Sequence, residues 1–299
     1  MPGQGRVGVR LTSLIALLLQ ILYACEISTG EIVELLHRVV SHATPVRETI
    51  KEQRRASPAL QADETGWREE GENGSIWCAC TPTLRYDAYH HSPAGDIVKA
   101  LLGPDLADVF GSDFDAGDNS HQGLHQRCWV QYLRDIHHRK KNAPEDEGLP
   151  GRARQVKAVS DEAVAWAEHG PDPSLSARQQ QFARVAQQQA LEQRLWALCR
   201  PFAQTQAFQQ TCGERMERFL SERFVFVALP GVPAHHHLAE RSVRPLVIAR
   251  TISGGSRRPH ASTTRMGLAS LFGTGMAQGL HPFHPGVALL THQHSLGHV

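Results

Sequence analysis

The strongest constraint on what this chain can fold into is a change of texture at Ser57, where helical patterning gives way to short β-rich runs. The runs Ala59 to Ala62, Ser75 to Cys80 and Leu84 to Tyr89 are separated by Gly71-Glu72-Asn73-Gly74 and by Thr81-Pro82-Thr83. Two tight connections of this kind predict a three-stranded antiparallel meander. Cys78 and Cys80 then share one face of the middle strand, because side chains alternate along a strand. A helix fits Ala94 to Leu102, ended by Gly103-Pro104, and a fourth strand fits Ala107 to Gly111. Strands followed by a helix and another strand predict a mixed α/β sheet.

Within this region, Gln61-Ala62-Asp63-Glu64-Thr65-Gly66-Trp67 places an acidic pair at the end of the first apolar run, ahead of a turn glycine. A carboxylate there can hold a metal ion, although a lone acidic pair is more often a solvated turn than a ligand. Two later acids give the pair weight. Asp113 follows the fourth strand, so that it and Asp63 are expected at one sheet edge, and Glu240 opens a helix that starts at Leu238.

The chain of 299 residues is long enough for one large domain or two ordinary ones, and 41% apolar residues suffice for a packed core. Its 31 basic and 30 acidic side chains give a formal charge of +1, so a polyanion must be met by a local patch. After Glu240 there is no further Asp or Glu, whereas Arg241, Arg244, Arg250, Arg257, Arg258 and Arg265 all follow. Charge asymmetry alone leaves a phosphate-binding patch and a solvated tail about even. Ile252-Ser253-Gly254-Gly255-Ser256-Arg257-Arg258 reads as a flexible basic loop. A last helix is predicted over Ser262 to Gln278.

The remaining chain reads as helical. Leu11, Leu14, Ile15, Leu18, Leu19 and Leu22 recur at the spacing of a core helix, and Leu22-Tyr23-Ala24-Cys25 superficially resembles a lipoprotein signal. The core helix is preferred, since Tyr23 is bulky for a cleavage site. Ser28 and Glu31 form a capping-box pattern, and a second helix fits Val46 to Arg55; these short helices suit either a helix-turn-helix reader or a structural bundle. His125 to Lys140 is an amphipathic helix candidate. From Gly151 to about Arg223, Phe182, Val185, Leu195, Leu198 and Phe202 are spaced for one buried face, with glutamines on the solvated side. Pro245 sits inside the helix that carries Glu240, where it is expected to introduce a kink. Six cysteines match neither a paired zinc-knuckle spacing nor a dense disulfide framework, which suits reduced thiols in a cytosolic protein.

Five motifs carry a family resemblance: ADETGWRE at 62 to 69, SDF at 112 to 114, HQRCWVQYLRDIH at 125 to 137, AERSVRPLVIAR at 239 to 250 and ISGGSR at 252 to 257. Together they resemble the catalytic core of the insertion-sequence-66 type of DDE transposase, over roughly residues 57 to 285. The resemblance implies an α/β, RNase H-like mixed sheet with an all-helical insertion and a short helical N-terminal region. Its parts would be 1–56, a remnant of an N-terminally truncated DNA-binding region; 57–130 and 227–285, the two parts of the catalytic domain; 131–226, the insertion; and 286–299, a tail.

It also implies that Asp63, Asp113 and Glu240 are the catalytic acids and hold two Mg²⁺ (or Mn²⁺) ions. Two such ions about 4 Å apart serve both oxygens of an in-line displacement at phosphorus. Arg241, Arg244, Arg250, Arg257 and Arg258 would contact DNA phosphates. The implied partners are double-stranded DNA of the transposon ends and target, together with further copies of the chain and accessory proteins of the element. A cytoplasmic, nucleoid-associated protein without a membrane partner is expected. Family members usually carry an Asn-Asn pair shortly before the third acid, where this chain has His235-His236-His237-Leu238-Ala239. A catalytically silent, degenerate DNA-binding remnant is the alternative expectation.

Overall fold

The computed structural model describes residues 5–55, 57–91, 109–113, 123–142, 147–200 and 216–281. The helix expected at Ala94 to Leu102, along with Phe202, Cys212 and the tail, lies outside them. The chain divides into two compact units, Met1–Gly103 with His237–Val299, and Pro104–His236. It is a mixed α/β protein: among the described residues three strands pair antiparallel in the first unit and two pair parallel in the second.

The first unit begins with α1 (Gly5–Tyr23), α2 (Thr29–His42) and α3 (Thr44–Arg55). The expected capping box opens α2: the Ser28 hydroxyl accepts from the Glu31 amide and the Glu31 carboxylate accepts from the Ser28 amide. The meander follows as β1 (Ala59–Glu69), β2 (Glu72–Cys80) and β3 (Arg85–His90). Its first strand is longer than the apolar run suggested. Gly66 is no turn glycine; it pairs with Ser75 in mid-strand. The hairpin turns instead at Glu70 and Gly71, both with positive φ, and Asn73 and Gly74 belong to β2. Two consecutive left-handed residues match the right-handed twist of the flanking strands, and this geometry fixes the register.

Alternation along β1 buries Gln61, Thr65, Trp67 and Glu69 while Gly66 and Arg68 stay exposed. Two helices pack against the meander, α8 (His237–Ser253) on β1 and α9 (Pro259–Ala277) on β3. Trp67, Ile76, Leu246 and Met266 form the core between strands and helices, flanked by Tyr89, Ala249 and Ala269. Helix α8 continues through Pro245. Close packing of α9 needs Gly267, where a Cβ would stand 2.4 Å from the Val40 side chain of α2. Polar residues of α9 also stitch it to β3: Ser270 Oγ accepts from the Asp87 amide, and Thr274 Oγ1 accepts from the Arg85 amide and donates to its carbonyl.

Helix α1 forms where expected, yet not as a core helix. Leu14, Leu18, Ile21 and Leu22 are 45–68% exposed, because periodicity creates an apolar face without supplying anything to cover it. Among the described residues no helix is long and apolar enough to cross a membrane. None of the described cysteines forms a disulfide, and Cys78 and Cys80 are both buried on β2.

The second unit contains the parallel pair β4 (Val109–Ser112) and β5 (His125–Arg127), with Phe110 opposite His125 and Ser112 opposite Arg127. The segment read as one helix from His125 is therefore a strand first, and α4 (Trp129–Asn142) starts only after Cys128. Its amphipathic spacing is real from Trp129 onward; His125–Arg127 are recruited by β4. Long helices α5 (Leu149–His169) and α6 (Ala177–Cys199) follow, then a single 3-10 turn at Leu220–Glu222 and the short α7 (Val225–Ala228). On α6, Leu191 and Leu195 are buried, but Phe182 is 64% exposed and sits beneath Arg178. The buried face expected from Phe182 thus begins lower on the helix. Gln126 ties this unit together, donating to the Arg223 carbonyl and accepting from the Phe226 amide.

Candidate active site

Asp63 lies in the middle of β1, opposite Cys78, with its carboxylate half-buried. Its Oδ1 accepts the amide of Glu64 at 2.9 Å. Gln61 stands two residues earlier on the same strand face, and its side-chain carbonyl accepts the Ala239 amide at 3.3 Å. That contact draws the first turn of α8 onto the strand face shared by Gln61 and Asp63, and Glu240 is the acidic residue of that turn. A carboxylate in a helix's first turn is favoured by the unsatisfied amides there. Two of the three expected acids therefore belong to elements that touch within the first unit.

Asp113 belongs to the second unit, immediately after β4, and is partly exposed. Its backbone is held from beneath. Arg127 on β5 is 1% exposed, donates from Nη1 to the Asp113 carbonyl at 2.8 Å and to Ser112 Oγ at 3.2 Å, and donates from Nε to Glu222 at 2.7 Å. The guanidinium also lies over the Phe219 ring. A planar fork with five donors can grip three acceptors at once, and a lysine cannot reproduce that geometry. Nothing in the sequence marks Arg127 for this role beyond its place in the HQRCW run, at the end of a strand too short to be recognised.

Among the described residues, no three His, Cys, Asp or Glu side chains form a group that could hold a metal ion. The donor chemistry of the expected acids nevertheless fits a hard divalent cation, which prefers carboxylate oxygens that water can reach. Asp63, Asp113 and Glu240 are all partly exposed.

The basic segment resolves into distinct environments. Arg241, Arg244, Arg257 and Arg258 are exposed, with Arg241 bonded back to the His237 carbonyl of its own helix. Arg250 is half-buried and donates to the Gly66 carbonyl at 3.1 Å. Arg265 packs over the Trp67 ring, and burial pulls its guanidinium below its ordinary value. The loop expected to be flexible is instead pinned to β1. Ser256 donates its amide to the Arg68 carbonyl, accepts from the Glu70 amide, and receives Trp67 Nε1 on its hydroxyl. Gly255 makes this possible: at φ 132° a Cβ there would stand 2.2 Å from the Arg68 carbonyl oxygen. Gly255 thus serves close backbone approach.

The first unit therefore carries Asp63 and Glu240 on the touching elements β1 and α8, with exposed arginines along α8 and the loop that follows it. Residues 17–264 match the family described as Transposase IS66 family, and the chain belongs to that family. The matched stretch starts inside α1, well ahead of the motif-bearing region, and ends inside α9. No curated protein matches the chain.

Proposed function

We propose that this chain catalyses DNA cleavage and strand transfer at the ends of an insertion sequence, with Asp63, Asp113 and Glu240 as a DDE set on an RNase H-like fold. Membership of a transposase family is the observation that carries the reading. The Gln61–Ala239 contact supports it, since it gives the first and third acids neighbouring supports on β1 and α8.

In this reading Asp63, Asp113 and Glu240 would supply the carboxylate oxygens for Mg²⁺ or Mn²⁺, and such ions, when bound, would polarise the oxygens exchanged at phosphorus. The chain's own part is positional. Gln61 holds the first turn of α8 beside β1, and Arg127 fixes the backbone on which Asp113 is carried. Exposed Arg241, Arg244, Arg257 and Arg258, with Arg250, bind phosphates of the transposon ends and target. Such contacts set affinity and register without reading sequence. The protein would act in the cytoplasm at the nucleoid, in assemblies containing further copies and accessory proteins of the element.

The test is strand transfer on end-bearing DNA by Asp63→Asn, Asp113→Asn and Glu240→Gln variants. Each is expected to lose Mg²⁺-dependent transfer by more than about a hundredfold with folding intact. Undiminished transfer in all three variants would overturn the proposal. Salt-sensitive DNA binding by the wild-type chain, without nicking in Mg²⁺ or Mn²⁺, would replace it with the reading of a silent DNA-binding remnant.

A further inference from the structure

Farther along β1 from Asp63, the exposed surface of the first unit carries an open hollow of about 340 Å³. Gly66, Trp67, Arg68, Asn73, Gly74, Arg250 and Gly254 line it, and among the described residues no carboxylate does. Three of these seven are glycines, so backbone is exposed between the side chains, and the charged or amide groups are two arginines and one asparagine.

Each polar group is already oriented by the fold. Arg250 Nη1 donates to the Gly66 carbonyl at 3.1 Å, which lays its guanidinium along the wall. Arg68 Nε donates to Asn73 Oδ1 at 3.1 Å, and because that oxygen accepts, the amide's nitrogen is left as a donor. The backbone beneath Arg68 is clamped as well, since its carbonyl accepts the Ser256 amide at 2.7 Å. A guanidinium has five N–H donors, and these bonds use one from each arginine. The side chains of the hollow therefore present donors and positive charge. Its natural ligand is an anion with several acceptor oxygens, and its openness suits one group of an extended chain better than an enclosed small molecule.

We propose that this hollow binds a phosphodiester of a DNA strand, with Arg68 and Arg250 as the clamp and Asn73 as a supporting donor. The inference rests on the reading that the chain acts on DNA, and it adds a contact on the β1–β2 hairpin to the arginines of α8 and the following loop. Free phosphate shares the same chemistry, so the experiment separates the two sources.

Binding of the full chain to a fluorescent end-bearing duplex would be followed by anisotropy in EDTA across a range of salt, keeping metal chemistry out of the measurement. Arg68→Ala is expected to weaken binding roughly three- to tenfold and to lower the salt slope by about 1, while Arg68→Lys keeps most of the affinity. Arg68 is exposed, so its variants should melt like the wild type. Arg250→Gln is the second variant. Wild-type binding to DNA that is unchanged in both alanine and glutamine variants overturns the clamp and leaves the transposase reading standing. No wild-type binding to DNA overturns both. In a parallel arm, inorganic phosphate is titrated against thermal stability. If Arg68→Ala abolishes a phosphate-induced rise in the melting temperature yet leaves DNA affinity intact, the hollow is a small-anion site and the DNA contact is overturned.

Discussion

The two units bury charge in different ways, and the difference bears on how each holds its acids. In the first unit, beside Arg54 buried over the Tyr86 ring, buried charge is held in a closed pair: Arg85 donates through Nε and Nη2 to both oxygens of Asp87 at 2.8 and 3.0 Å. Burial pushes the Asp87 carboxyl above its ordinary value, against the opposing pull of Arg85. Arg47 donates to the Asp87 carbonyl, and Ser270 accepts from its amide. The cluster braces β3 against α3 and α9, whereas Asp63 and Glu240 sit on β1 and α8. In the second unit the buried cations are shared with backbone. Arg223 donates to the Cys128 carbonyl and faces the rings of Trp129 and Tyr132, and burial lowers its guanidinium to about 10. Arg127 reaches the carbonyl of Asp113 itself. The first unit thus stabilises the platform under its acids, while the second ties one acid's backbone directly to a buried side chain.

That contrast can be broken first at the closed pair. Asp87→Ala leaves Arg85 buried without its carboxylate, and an uncompensated buried charge costs about 3–5 kcal/mol. Urea unfolding should show a loss of that size, and a loss no larger than that of an exposed substitution would show that the pair does not brace the sheet. The corresponding change in the second unit is Arg127→Lys, which keeps the charge near Glu222 but removes the fork on Asp113 and Ser112. Transfer activity is expected to fall about tenfold or more through misplacement of Asp113. A melting curve close to wild type, with the loss in kcat rather than KM, is the signature of a positioning residue. Activity falling only in step with stability would make Arg127 structural.

The smallest effect concerns the helices around the first unit. His37 stacks on His260 at 3.8 Å and bonds Thr264. Burial, then the neighbouring His260, lowers its value, while Glu34 pulls the other way. With a lower value folded than unfolded, the unfolded chain takes up its proton first as pH falls from about 6.5. Stability should therefore decline modestly on acidification through that window, and His37→Gln should flatten the decline. An unchanged pH profile in His37→Gln would assign the decline to other groups.

The meander was legible because turn residues and β-rich runs are local signals, but its first turn was displaced. Glu70 takes a left-handed conformation that no composition rule assigns to a glutamate, and β1 runs through Gly66 to meet it. The strand at His125–Arg127 was hidden because three residues carry no readable period, and its neighbour β4 supplied the pairing. Leu14, Leu18 and Phe182 show the same limit for helices: spacing marks an apolar face without saying whether another element will bury it.

By itself the sequence determined the family, through motifs in order, and the elements set by local chemistry: the Ser28–Glu31 cap, the strands around Gly71, and the helix of Glu240. Only the tertiary structure decided how those elements support the expected acids. Arg127 beneath Asp113, Gln61 against Ala239, and Ser256 on β1 join residues far apart in the chain. Propensity and period act over a few residues, whereas these bonds exist only after packing has brought distant backbone within about 3 Å.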